Sequence, residues 1–292
     1  MNETRKTIRK LRNEQYSYNI NLYPYINNWK KNPYTFLKSI FYMESSAVFV
    51  WLLLKTKIKP NTVTIVYGIA GIVTGILLSI PNNYTIFIAL IIAFTKGILD
   101  WSDGHYARIT RQTSLTGHIL DIYGAHLNSL GFQIGLGMYV ACKTDMLLFY
   151  YLIPLFIFFR AGSLSVFSKA LLFDVISSEN NVSSFQGNDN RDKNQNNVKI
   201  ISSENAYSKY KNLFMGFLDD RARSVDFICL IILMEILFPI NISWLVFLLI
   251  VMKYFIIFAG SIYIIGTGSW AEGEMTNKIK EIYKLMLNDE KK

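Results

Sequence analysis

The chain has 292 residues, of which 51% are hydrophobic and only 17% charged, with a formal net charge of +9. Its mean hydropathy is +0.25, and the apolar residues fall in long runs, which excludes an ordinary soluble domain and predicts a polytopic membrane protein. The basic excess suits anionic lipid head groups or phosphorylated substrates. Nucleic acid is not an expected partner, because no polar domain carries a basic stripe interleaved with aromatics.

Residues 1–31 are polar and basic and read as a cytoplasmic extension, partly disordered. No apolar core follows their basic residues, so they do not read as a cleavable signal peptide. The apolar stretch that follows is interrupted by Lys38, Glu44 and two serines. Over 32–59 this predicts an amphipathic helix lying at the membrane interface, with a seventh span as the competing reading. Lys55, Lys57 and Lys59 form a basic collar after it.

Pro60 and Asn61 open the first of six expected spans, since proline suits a helix start and asparagine a cap near it. The spans are expected at about 62–80, 84–101, 117–142, 145–169, 225–238 and 242–265. Together they make a membrane domain over 60–268. Within it, residues 174–208 are rich in Asn, Ser and Asp and predict a flexible loop, followed by a short interfacial helix near 207–218. The polar tail, 269–292, has Ile279, Ile282, Tyr283 and Leu285 at helical spacing and predicts a surface helix. The fold class is therefore all-α: an integral bundle of six transmembrane helices with an N-terminal surface helix. Cys142 and Cys229 lie in or beside apolar runs and read as packing residues. Most Lys and Arg fall on the side that holds both termini, so the positive-inside rule puts that side in the cytoplasm.

The rest of the chain is organised around residues 99–125, LDWSDGHYARITRQTSLTGHILDIYGA. Asp100 and Asp103 are three apart and share a helix face. Gly104, Ala107 and Arg108 follow, then Gly117 and Asp121. Carboxylates at a membrane edge are costly and point to function. Three that converge suit hard divalent ions, which prefer oxygen ligands. Small residues between them let a bulky ligand approach the backbone. The bland reading of each acid alone is a helix cap or a pair with Arg108 or Arg111.

This stretch resembles the signature of the CDP-alcohol phosphotransferases, D-x2-D-G-x2-A-R-x8-G-x3-D-x3-D. It matches at Asp100, Asp103, Gly104, Ala107, Arg108, Gly117 and Asp121, and the last position is Ala125 instead of Asp. Pro60, Asn61 and Thr64 match a shorter P-N-x-x-T opening common in the family. The resemblance implies Mg2+ or Mn2+ held by Asp100, Asp103 and Asp121. It implies a CDP site at Asn61, Gly104, Ala107, Arg108 and Gly117, and a homodimer. The implied reaction moves a substituted phosphate from a CDP-linked donor to an alcohol and releases CMP, in phospholipid or related glycolipid or polyol-phosphate synthesis.

Ala125 stands where the family has the base that activates the acceptor, and it has no titratable atom. His126, His118 and Asp121 are the candidates to replace it, since a histidine near neutral pKa suits proton transfer. Asn128 shares the face of Asp121 and can orient a hydroxyl. Arg160, inside the fourth span, is the candidate to grip an anionic acceptor; its bland reading is an ion pair with a motif aspartate. Lys253 reads as a structural partner of Glu235. Arg221 and Arg223, ahead of the fifth span, read as topology signals. A second function remains open: a non-catalytic relative that binds CDP-alcohols or lipid as a regulator or partner subunit. A small-solute transporter would need polar residues along a whole pore, and they gather at one face only.

Overall fold

The computed structural model describes residues 2–22, 33–163 and 222–266. Among these residues the chain forms eight helices and no strand: α1 (Asn2–Leu22), α2 (Pro33–Leu53), α3 (Pro60–Leu78), α4 (Asn83–Ile109), α5 (Leu115–Thr144), α6 (Leu147–Ala161), α7 (Ala222–Leu237) and α8 (Ser243–Gly266). Four are long and apolar enough to cross a membrane: Pro33–Leu53, Pro60–Leu78, Asn83–Ile109 and Ser243–Tyr263. The expected loop at 174–208, the short helix at 207–218, the tail helix at 269–292 and Arg221 lie outside the described residues.

The N-terminus adds an element that the expectation for residues 1–31, a polar extension partly disordered, did not specify. Asn2–Leu22 is helical, and residues 23–31 lie outside the described residues. Leu11, Gln15 and Asn19, spaced four apart, are its buried stripe. Leu11 packs into a cluster with Ala47, Val50 and Leu53 of α2 and Tyr106 of α4. Gln15, only 1% exposed, accepts a hydrogen bond from Ser46 Oγ at 2.7 Å and donates to the Trp101 carbonyl at 3.1 Å. Arg12 pairs with Glu44 at 2.8 Å. A polar stretch thus finds order because its stripe meets a complementary polar stripe on α2.

A departure from expectation is α2 itself. Two of the residues that made it look like a surface helix, Lys38 and Ser46, are buried, while Glu44 stays exposed. Lys38 is buried and pairs with Asp226 of α7 at 2.6 Å, donates to the Phe94 carbonyl at 3.2 Å and lies 3.4 Å from the centre of the Phe94 ring. Tyr34 also donates to Asp226. Along α2, the contacts of Lys38, Tyr42 and Val50 step from Phe94 through Trp101 to Tyr106. The two helices therefore run in the same direction, and α2 covers the half of α4 that carries the motif.

The most extensive helix contact is between α3 and α5. A Cβ on Gly71 would come within 2.1 Å of the Asn128 Cα, and one on Gly75 within 2.2 Å of the Gly131 carbonyl oxygen. Only glycine allows the two backbones to approach so closely. Asn128 fastens the seam, its amide donating to the Tyr67 carbonyl at 2.8 Å.

Proline starts α3 as expected, but Asn61 does not cap it. The cap position is Lys59, which makes no side-chain bond there, and Asn61 lies inside the helix. The α5 cap is Ser114, whose hydroxyl accepts from the Gly117 N–H at 3.0 Å. α4 runs eight residues past the expected end at 101, so the whole Asp100–Arg108 segment is one helix. Arg111, with φ 55°, begins the turn into α5.

The chain divides into two compact units, Met1–Tyr150 with Gly216–Phe247 and Tyr151–Met215 with Leu248–Lys292. The first holds the motif. It also holds Glu235, which accepts from Tyr139 at 3.0 Å, pairs with Lys143 at 3.2 Å and accepts from the Ser243 N–H at 2.6 Å. The expected partner was Lys253; the salt bridge that Glu235 makes is to Lys143, because its carboxylate caps the start of α8 and faces the last turn of α5. In the second unit, Phe156 packs edge-on against Tyr254, and Phe159 against Phe255. Both cysteines are unbridged, and Cys229 is buried.

Candidate functional site

Helix α4 contributes Asp100 and Asp103, one turn apart, because an i,i+3 spacing stacks side chains on one face. Helix α5 contributes Asp121, and the close glycine seam brings α3 between them. Asp103 is 5% exposed. Its Oδ2 accepts from Thr64 Oγ1 of α3 at 2.6 Å, and its Oδ1 from the Gly104 N–H at 2.6 Å. Two short donors fix that carboxylate.

The three acids converge electrostatically. Asp100 feels both Asp103 and Asp121, and Asp103 feels Asp121. The buried Tyr67 of α3, one turn after Thr64, has all three among its charged neighbours. The cations in this field are Lys96 beside Asp100 and Arg108 beside Asp103. The ion pairs made by Arg12, Lys38 and Lys143 go to Glu44, Asp226 and Glu235 instead. Among the described residues no group of three His, Cys, Asp or Glu side chains is drawn to metal-ligand spacing.

The other sequence-derived candidates divide. Arg108 is half-buried, near enough to Gly104 that a Cβ there would lie 3.2 Å from its guanidinium. Ala107 precedes it on α4, half-buried. Gly117 and Asn61 meet, a Cβ on the glycine falling 3.2 Å from Asn61 Oδ1. Asp121, His118 and Ala125 are exposed on α5, and His118 lies three residues before Asp121. His126 is half-buried. Asn128, expected to orient a hydroxyl, is 1% exposed and bound to α3. Arg160 belongs to the second unit, where it is buried with its guanidinium 5.3 Å from the Tyr254 ring centre.

Sequence reasoning passed over three residues here. Tyr67 was legible only as a ring one turn beyond the Thr64 match. Tyr18 of α1 has its ring centre 3.8 Å from the Arg108 guanidinium carbon, and no local pattern announces a contact ninety residues apart. His105 is 2% exposed, with both ring nitrogens unpartnered among the described residues.

Residues 57–177 match the family model described as CDP-alcohol phosphatidyltransferase. No curated protein matches the chain. The matched segment contains Pro60, Asn61 and Thr64 and every motif residue from Asp100 to Asp121. The match covers 121 of the 292 residues, and four of the described helices are long and apolar enough to cross a membrane.

Proposed function

We propose that the protein transfers a substituted phosphate from a CDP-linked donor to an alcohol, releasing CMP. The observation that carries this reading is that Tyr67 has Asp100, Asp103 and Asp121 as neighbours and Thr64 donates to Asp103, inside the family-matched segment. Three carboxylates that repel one another are the donor set of a hard divalent ion, so they fit Mg2+ or Mn2+. When bound, the ion neutralises charge on the diphosphate and on the departing nucleotide.

The chain's own residues do the rest. Thr64 and the Gly104 N–H hold the Asp103 carboxylate in one orientation. Arg108 offers planar donors to the diphosphate. Gly104, Ala107, Gly117 and Asn61 line the nucleotide's side of the pocket. The acceptor proton goes to a group other than Ala125, drawn from His118, His126 and Asp121.

The charge asymmetry of the loops supports a cytoplasmic site. Of the helices at the six expected spans, α3, α4 and α8 are long and apolar enough to cross a membrane, and so is α2. A homodimer rests on the resemblance alone.

Ala125 favours a second reading, a non-catalytic binder of CDP-alcohols or lipid. Purified protein incubated with Mn2+, CDP-linked donors and alcohols decides between the two. CMP release by the parent supports the transferase; release only by Ala125→Asp supports the binder. Mass spectrometry of co-purified ligand then names the alcohol.

A further inference from the structure

The N-terminal helix reaches into the candidate site. We infer that α1 is a wall of the nucleotide pocket, and that Tyr18 is a positioning residue that holds the Arg108 guanidinium for the donor's diphosphate. The inference rests on the transferase reading above and adds to it a part of the chain outside the family-matched segment, which begins at residue 57.

The Tyr18 ring centre lies 3.8 Å from the guanidinium carbon of Arg108. The ring attracts the guanidinium and the Tyr18 hydroxyl shares a hydrogen bond with it, which leaves the other guanidinium donors to phosphate oxygens. Arginine has a long stem and loses much rotamer freedom when ordered. A stacked guanidinium has lost that freedom before the ligand arrives, and binding is tighter for it. Asp103 and His105 are the other titratable neighbours of Arg108. Asp103 is already held by Thr64 and Gly104, which leaves Tyr18 as the group that fixes the guanidinium plane.

The placement of Tyr18 is built. One turn earlier on α1, Gln15 is 1% exposed and bridges Ser46 of α2 to the Trp101 carbonyl, between Asp100 and Ser102 of the motif. A buried amide satisfied on both sides fixes the rotation of its helix, because turning α1 would orphan the Trp101 carbonyl and the amide together. The same rotation sets Tyr18 on Arg108.

The test uses the full-length protein with Mn2+ and a CDP-linked donor. It compares wild type, Tyr18→Ala, Tyr18→Phe and Gln15→Ala. Tyr18→Ala is expected to raise the KM for the donor roughly fivefold, the size of a partly exposed cation–π contact, with kcat within about twofold. Tyr18→Phe, which keeps the ring and loses the hydroxyl's bond to Arg108, is expected to restore most of the KM, and Gln15→Ala to shift it in the same direction as Tyr18→Ala. Calorimetric titration with CDP and Mn2+ reads the same ranking without turnover. An unchanged KM and unchanged CDP affinity in Tyr18→Ala overturns the inference, as does a loss confined to kcat that Phe does not restore. If wild type binds CDP but releases no CMP, the transferase reading fails while the Tyr18 ranking still stands or falls by titration. If wild type binds no CDP, both fall.

Discussion

Two buried aspartates in this molecule make an instructive pair. Asp226 sits at the start of α7 with the Lys38 ammonium 2.6 Å away and the Tyr34 hydroxyl donating to it. Asp103 sits on α4 with only neutral donors, Thr64 and Gly104, and with Asp100 and Asp121 as its like-charged neighbours. The first is a matched charge that ties α2 and α7 to α4. The second is a gathering of three acids with two cations, Lys96 and Arg108, at a small-residue pocket, an excess of negative charge. Matched burial is structure, because breaking it leaves a lone charge. Unmatched convergence stores repulsion that a cation relieves, and sites keep such arrangements for that reason.

The sharpest way to break the comparison is to neutralise one member of each cluster. Asp103→Asn is expected to lower CMP release by about a thousandfold, through lost ion binding, while unfolding in detergent stays unchanged or rises slightly. A clear loss of stability would make Asp103 a structural acid like Asp226. The complementary change, Lys38→Met, is expected to destabilise by about 3–5 kcal/mol. Turnover per folded molecule should stay within a few-fold of wild type. Replacing both partners, Lys38→Met with Asp226→Leu, should recover most of that stability, because a buried apolar pair leaves no orphan charge.

Gly71→Ala tests the seam that holds α3 against the site. The added Cβ would lie 2.1 Å from the Asn128 Cα, so α3 and α5 must separate, at a cost of about 1–3 kcal/mol. Because α3 carries Thr64 and Tyr67, CMP release should fall with it. A variant of full stability and full activity would show that the seam has slack. The smallest expected effect belongs to Thr64→Val, which removes the donor to Asp103 Oδ2 and weakens its orientation by about 1–2 kcal/mol. The Mn2+ concentration for half-maximal CMP release should rise several-fold, with Thr64→Ser restoring it.

Much of this was readable in one dimension. Hydropathy located α3, α4, α5 and α8 to within a few residues at most of their ends, since each is a run that must leave water somewhere. The i,i+3 spacing of Asp100 and Asp103 put them on one face because helix geometry is local. Where the reading went astray, the cause was a partner far away in sequence. Lys38 and Glu44 looked like the polar face of a surface helix, but Lys38 meets Asp226 and Glu44 meets Arg12. Glu235 looked like a partner for a lysine on the next helix, but Lys143 of α5 claims it.

The sequence by itself determined that the chain is helical and apolar, and that three acids and an arginine lie at fixed intervals in its first half. Those properties follow from backbone periodicity and from the cost of exposing apolar surface, which act over a few residues at a time. Only the tertiary structure decided that α1 orders against α2, that Tyr18 covers Arg108, that Thr64 donates to Asp103, and that Tyr67 has all three acids as neighbours. Those contacts depend on which helix faces close on which. That choice is made by packing the whole first unit at once, through glycines that admit a backbone and buried polar groups that must each find a partner.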